Sequence, residues 1–415
     1  MSGRRWAWTA AIGMCLMLGG SAQALAAQRY ASPSGSGSTC SQQSPCAIQV
    51  AANNAGMGDE VIVAPGDYFP PTSVFTPVAN VSIHGAQGQP MPRIHFTTGF
   101  LLISNPGDRA SRLEVFGTNV SPVESNGGGE IDQIVAHSTG SGTAACLDFS
   151  TLIDSVCMAS GADAPALEAQ TNISITISAR NLTLEASGSG GIGARFATAS
   201  GNVTANLTNV IAHGPGSDIT LDRTGGSLHA NVDHSNHVSI AANGGATVTE
   251  TNQQLAAPVF VNPAAGDFRE AAHSPTIDAG ITSAANGTFD FLGKPRVING
   301  RTDIGADEFD PFTGVVLKKG KVKVKKRKAK VSIGCPAGIP TSCGGTLTLT
   351  FGKKTAGTAG FSIPAGTTRG LKVKITKKAF RKLNAKGELD TRATAAATDG
   401  AGVSATTSAQ LKLSL

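Results

Sequence analysis

In the middle of the chain one short pattern keeps returning. Two or three apolar residues alternate with polar ones, and an Asn or Gly bounds the run. NLTLEA begins at Asn181, NVTANLTNVIA at Asn202, SDITLD at Ser217 and NHVSIA at Asn236. Alternation of period two places apolar side chains on one face of an extended strand. The spacing is 21 residues from Asn181 to Asn202, 22 from Asn209 to Asn231 and 21 from Ile219 to Ile240. A unit this short cannot bury its own apolar face, so neighbouring units must stack, which predicts a strand-built solenoid. Leucine-rich repeats share the length, but their leucine pattern is absent. Asn and Gly suit corners that need a left-handed backbone.

The pattern changes after Pro311. There VVLKKGKVKVKKRKAKVSIGC carries Lys318, Lys319, Lys321, Lys323, Lys325, Lys326, Arg327, Lys328 and Lys330. Val322, Val324, Val331 and Ile333 alternate with the cations, which predicts strands with one basic face. GTLTLTF, GLKVKIT and AQLKLSL continue the alternation, while Thr376 to Gly387 has helical spacing at Phe380 and Leu383. Residues 1–26 read as an export signal: Arg4 and Arg5, an apolar run from Ala10 to Leu18, then Ala24-Leu25-Ala26. No other segment approaches the ~20 apolar residues of a membrane span. The expectation is an exported, monomeric protein, secreted or held at the cell envelope.

Charge sharpens the division. Residues 27–312 hold 11 Lys and Arg against 25 Asp and Glu, and residues 313–415 hold 21 against 3. Two stretches of such opposite composition predict separate domains. Cysteine usage agrees with export. Cys40 and Cys46, Cys146 and Cys157, Cys335 and Cys343 form three local pairs without metal-type spacing, which predicts three disulfides.

Two stretches resemble known families. YASPSGSGSTCSQQSPCAIQVAANNAGMGDEVIVAPGDY, from Tyr30 to Tyr68, resembles the opening of secreted right-handed parallel β-helix proteins of the pectate-lyase-like superfamily. The resemblance implies a capping helix at Ala47–Ala55, then a turn at Gly58-Asp59, a first strand at Val61–Val63 and a second turn at Pro65-Gly66. DFREAAHSPTIDAG and FDFLGKPRVINGRTDIGADEF, within Asp267 to Phe309, resemble the choice-of-anchor Q module that follows β-helices in bacterial surface proteins. The last hundred residues resemble small β-sandwich domains of actinobacterial β-helix proteins. The resulting division is 1–26 signal, 27–260 β-helix, 261–312 terminating module and 313–415 basic, Ig-like β-sandwich: an all-β chain.

The superfamily contains polysaccharide lyases and glycoside hydrolases, so catalysis is the alternative to weigh. Asp218, Asp222 and Arg223 are the first candidates, because elimination needs a base and hydrolysis a carboxylate pair. Against them, the lyase and polygalacturonase signatures are missing, and Asp222-Arg223 reads as a corner charge pair. Both tryptophans, Trp6 and Trp8, fall in the signal, leaving few flat faces for sugar rings. HANVDHSNH splits its histidines between strand faces, which reads against zinc. No cofactor is called for, although Ca²⁺ on Asp290, Asp303 and Asp307 fits hard oxygen ligands at loop spacing. Within GRTDIGADEF, Asp303, Ile304 and Phe309 should finish a turn and strand packed on the last coil, with Arg301 as ion partner. The basic tail points to an anionic wall or surface polymer, or a polysaccharide, as partner. Export and the missing aromatics argue against nucleic acid. The leading reading is a non-catalytic surface or extracellular protein.

Overall fold

The computed structural model describes residues 26–415 except 127, 299, 337–341, 401 and 402. The expected export signal therefore lies, apart from Ala26, outside the described residues. Two parallel sheets wind around one core as a right-handed solenoid. One sheet has 12 strands, from Gln28–Ala31 to Thr247–Thr251, and the other has eight, from Val74–Phe75 to Ile240–Asn243. A second sheet domain follows, so the chain is all-β.

The first coil starts as its motif implies. The helix Ile48–Asn53 buries Ile48, Ala51 and Ala52 in the solenoid core, and Glu60–Val63 pairs with Gln28–Ala31. Disulfides join Cys40 to Cys46, Cys146 to Cys157 and Cys335 to Cys343.

Register corrects the repeat length. Arg109 stacks beside Glu130 and Glu130 beside Thr151, but Thr151 lies beside Ser178, Ile175 beside Val203 and Asn202 beside Ser227. Coils of 21 residues thus give way to coils of 25 to 28. Ile219 does face Ile240, whereas Asn181 stacks on Asn209 rather than Asn202, and Asn231 on Asn206. The physical reason is a bend. Each long strand has two apolar-alternating halves, and a half strand resembles its neighbour half as much as its true partner.

One residue makes that bend in successive coils. Arg112, Gln133, Asp154, Asn181, Asn209, His234 and Asn252 all have φ between 44° and 55°. Only Gly, Asn and Asp visit this region readily, so the column concentrates local strain and side chains that can bond one another. Asn209 donates to Asn181 (3.0 Å) and Asn181 donates to Asp154 (2.9 Å).

After the coils the chain touches the last one at Pro275, whose carbonyl accepts from Gln254, and then leaves it. Residues 276–308 run back along the bend column. Asn209 Nδ2 donates to the carbonyl of Ile281, Asn181 Nδ2 to that of Asn286 and Gln133 Nε2 to that of Asp290. Gly305 N reaches Asn209 O and Ala306 N reaches Thr183 Oγ1. The stack itself ends in a polar pair. In the inward column Val232 is followed by Glu250, whose Oε1 lies 2.8 Å from His237 Nε2. An inward charge at the final strand disfavours further stacking.

The second domain is an eight-stranded, mostly antiparallel sheet around Val331, Ile333, Leu347, Leu349, Val373 and Leu413. Lys377–Lys386 forms the expected helix, capped by Thr376 and ended by Gly387 at φ 73°, with Leu383 buried.

Candidate functional site

The solenoid candidates serve the fold. Asp218 Oδ1 accepts from Gly214 N (3.1 Å), and Oδ2 accepts from Val238 N (2.6 Å) and Ser239 N (3.0 Å). Burial opposes its charge, yet His213 and these amides outweigh it and hold the carboxyl at about 2. A carboxylate so held is a turn clamp. Asp222 and Arg223 do not pair with each other, as the sequence suggested. Asp222 accepts from Arg195 Nε (2.9 Å) and Asn243 Nδ2 (2.8 Å), while Arg223 donates to the carbonyls of Gly226 and Gly244. Adjacent residues on a strand point to opposite faces, which separates the two. His229 bonds Thr247 and Asn231, and His234 bonds Asp233.

The acid cluster is likewise occupied. Asp290 Oδ1 accepts from the amides of Leu292 and Lys294, and its Oδ2 from that of Glu308. Asp303 accepts from the amides of Asp278 and Phe309, both at 2.6 Å. Asp307 accepts from Lys294 Nζ (2.7 Å) and from Glu270 N (2.8 Å). These N–H donors, with Lys294 Nζ on Asp307, already answer part of the charge that a calcium ion would meet. Among the described residues no group of three or more His, Cys, Asp or Glu side chains is arranged to hold a metal. Arg301 is exposed; the ion partner is the fully buried Arg296, 2.7 Å from Asp154 and 3.7 Å from Glu308. Burial pushes Glu270 and Glu308 up to about 8 and Asp303 up to about 6.

The basic stretch is arranged differently. In Gly320–Lys325 and Lys328–Gly334, Val324, Ala329, Val331 and Ile333 face the core, and Lys321, Lys323, Lys325, Lys328 and Lys330 face out. Thr368–Lys374 then adds Lys372 and Lys374 to the same face. Lys325 stands opposite Lys328, Lys328 opposite Lys374, and Lys330 opposite Lys372. Like charges directly opposed on neighbouring strands destabilise a sheet by up to about 1 kcal/mol per pair.

Lys321 and Lys412 also face each other, but Glu388 answers both, at 2.5 and 3.5 Å. Among the described residues Lys325, Lys328, Lys330, Lys372 and Lys374 make no ion pair with an acid. Lys326 and Arg327 form the two-residue turn between the paired Lys325 and Lys328, at φ 48° and 59°. Such turns favour Asn-Gly, because both central residues need positive φ. Arg327 donates to the carbonyl of Ile375 and so braces the turn. Lys318 and Lys319 lie exposed just before the face. Lys372 and Lys374 were outside the sequence candidates, because only pairing brings them to Lys328 and Lys330.

No protein-family profile matches the chain, and no curated protein matches it. Among solved structures, a solution structure of a protein from Arabidopsis thaliana aligns with 25% of this chain and 78% of its own, at 17% identity and a TM-score of 0.19. A likeness that slight bears on neither fold nor function. No helix among the described residues is long and apolar enough to cross a membrane.

Proposed function

We propose that this is an exported binding protein whose second domain attaches to an anionic polymer of the cell surface, with the solenoid as the body it displays. The observation that carries the reading is the lysine face: cations set against cations across three strands, with no acid to answer them among the described residues. A protein keeps such an arrangement at a stability cost, and a polyanion removes that cost by supplying the missing charge. The resemblance of residues 267–309 to a module of bacterial surface proteins supports a surface location. The catalytic alternative has less support, since Asp218, Asp222 and Arg223 are held in bonds that shape turns and corners.

The test compares the full chain with a variant in which Lys328, Lys330, Lys372 and Lys374 are all changed to Glu. Wild type should be retained on isolated cell wall and released at ~1 M salt, where screening reaches within about 3 Å. The variant, with an unchanged circular dichroism spectrum, should pass through. Equal retention of both would sink the reading.

A further inference from the structure

The bend column is not used evenly. Gln133, Asp154, Asn181 and Asn209 all bond to the segment that runs back along them. Arg112 heads the same column at φ 55° and makes no such bond. Its Nη2 donates to the carbonyl of Gln89 (3.1 Å), and its Nε is buried without a partner. Among the described residues no acid forms an ion pair with it.

This guanidinium borders a half-open cavity of about 560 Å³. Three elements make the walls. In the coil before Arg112 the long strand is split into Ser82–Gly85 and Arg93–Phe96, and the intervening loop supplies Gln87 and Gln89. The returning segment supplies Phe289 and Gly293. Gly293 has φ 82°, and a Cβ there would stand 3.1 Å from Arg112 Nη1, so its lack of a side chain leaves the cation room.

The chemistry follows from what Arg112 is and where it sits. A left-handed Arg costs roughly 1–2 kcal/mol at a position that Asn fills in later coils. The bend therefore sets beside the cavity a permanent cation whose outer fork, among the described residues, has only Nη2 engaged, on the Gln89 carbonyl, and no acid opposite it. A planar carboxylate meets such a fork with two parallel hydrogen bonds. Gln87 and Gln89 are exposed and, among the described residues, make no side-chain hydrogen bond, so their amides are available to hydroxyls. The surrounding solenoid region, with 25 acidic against 11 basic residues, repels a long polyanion, which limits the ligand to a small one. The geometry points to a binding site for a carboxylate carried on a small hydroxyl-rich molecule, anchored by Arg112. This site is separate from the lysine face.

Titration calorimetry of the full chain with gluconate, acetate, glucose and inorganic phosphate tests it. Gluconate should bind best, acetate more weakly and glucose not measurably. Arg112→Asn should weaken gluconate by about tenfold or more, the range of a hydrogen bond to a charged group. The variant should fold at least as well as wild type, because Asn suits a left-handed bend, and an unchanged circular dichroism spectrum checks this. Four results overturn the proposal: no gluconate binding by wild type, glucose binding as tight as gluconate, phosphate tighter than both carboxylates, or an unchanged gluconate affinity in folded Arg112→Asn.

Discussion

Replacing Asn181 with alanine removes three things at once, and their sizes follow from the structure. The side chain is fully buried, and its Nδ2 donates to Asp154 Oδ1 at 2.9 Å and to the carbonyl of Asn286 at 3.0 Å. Its Oδ1 accepts from Asn209 Nδ2 at 3.0 Å. A neutral hydrogen bond contributes about 1 kcal/mol net, and one to a carboxylate about 1.5–3. An alanine at φ 54° adds strain of roughly 1–2 kcal/mol. The sum is about 4.5–7 kcal/mol of lost stability, read as a lower urea midpoint at unchanged slope. Asn181→Gly separates the contributions: it loses the bonds but not the backbone freedom, and should recover about 1–2 kcal/mol relative to alanine. Asn252→Ala is the control. It shares the backbone angle on an exposed coil end, so it should cost little beyond strain and its exposed bonds to Asp233 and His234. If Asn181→Ala falls within ~0.5 kcal/mol of wild type, the column is not what holds the returning segment.

This segment, with Glu270 bonded to its first residue Thr276, should respond to pH. Glu270, Glu308 and Asp303 have folded values raised by burial, to about 8, 8 and 6. Raised carboxyls bind protons more tightly when folded, so their contribution is complete below their unfolded values and is lost as pH rises through about 6 to 8. The melting temperature should fall between pH ~5 and ~9, and a rise across that window would contradict the assignment. The lysine hairpin makes the opposite kind of prediction. Changing Lys326 and Arg327 together to Asn and Gly should stabilise the second domain by about 1 kcal/mol, because the turn then has residues suited to positive φ. The same change should weaken retention on cell wall, and a variant that is no more stable would show that the strain relieved does not exceed the lost bonds of Arg327 to Ile375.

The sequence made some elements legible because their cause is local. Alternation marked the strands, the Thr376 cap and Gly387 stop marked the helix, and short loops brought each cysteine near its partner. What escaped it was long-range. Nothing in NLTLEA says that Asn181 will stack on Asn209, because register depends on the bend, and the bend residue varies from Arg to Gln to Asp to Asn. GLKVKIT alternates, yet only its pairing with Lys328–Gly334 turns a basic strand into an unanswered basic face.

GRTDIGADEF is the clearest case. Its acids invited a cation, and its place after the coils suggested a cover for the last one. A solenoid end, however, needs only something that cannot be stacked upon, and Glu250 with His237 provides that at the last coil. The chain is then free to use its acids elsewhere. Asp303, Asp307 and Glu308 fold the returning segment around Lys294 and Arg296, and Arg296 reaches Asp154 on the bend column. Arg296 is therefore the pivot between two sets of buried carboxyls. Removing a buried cation leaves those acids unanswered, which costs more than the ion pairs contribute. That asymmetry explains why acids that cluster like ligands can act here as a clasp: each has a donor in the folded chain, and the donor is most of what keeps it there.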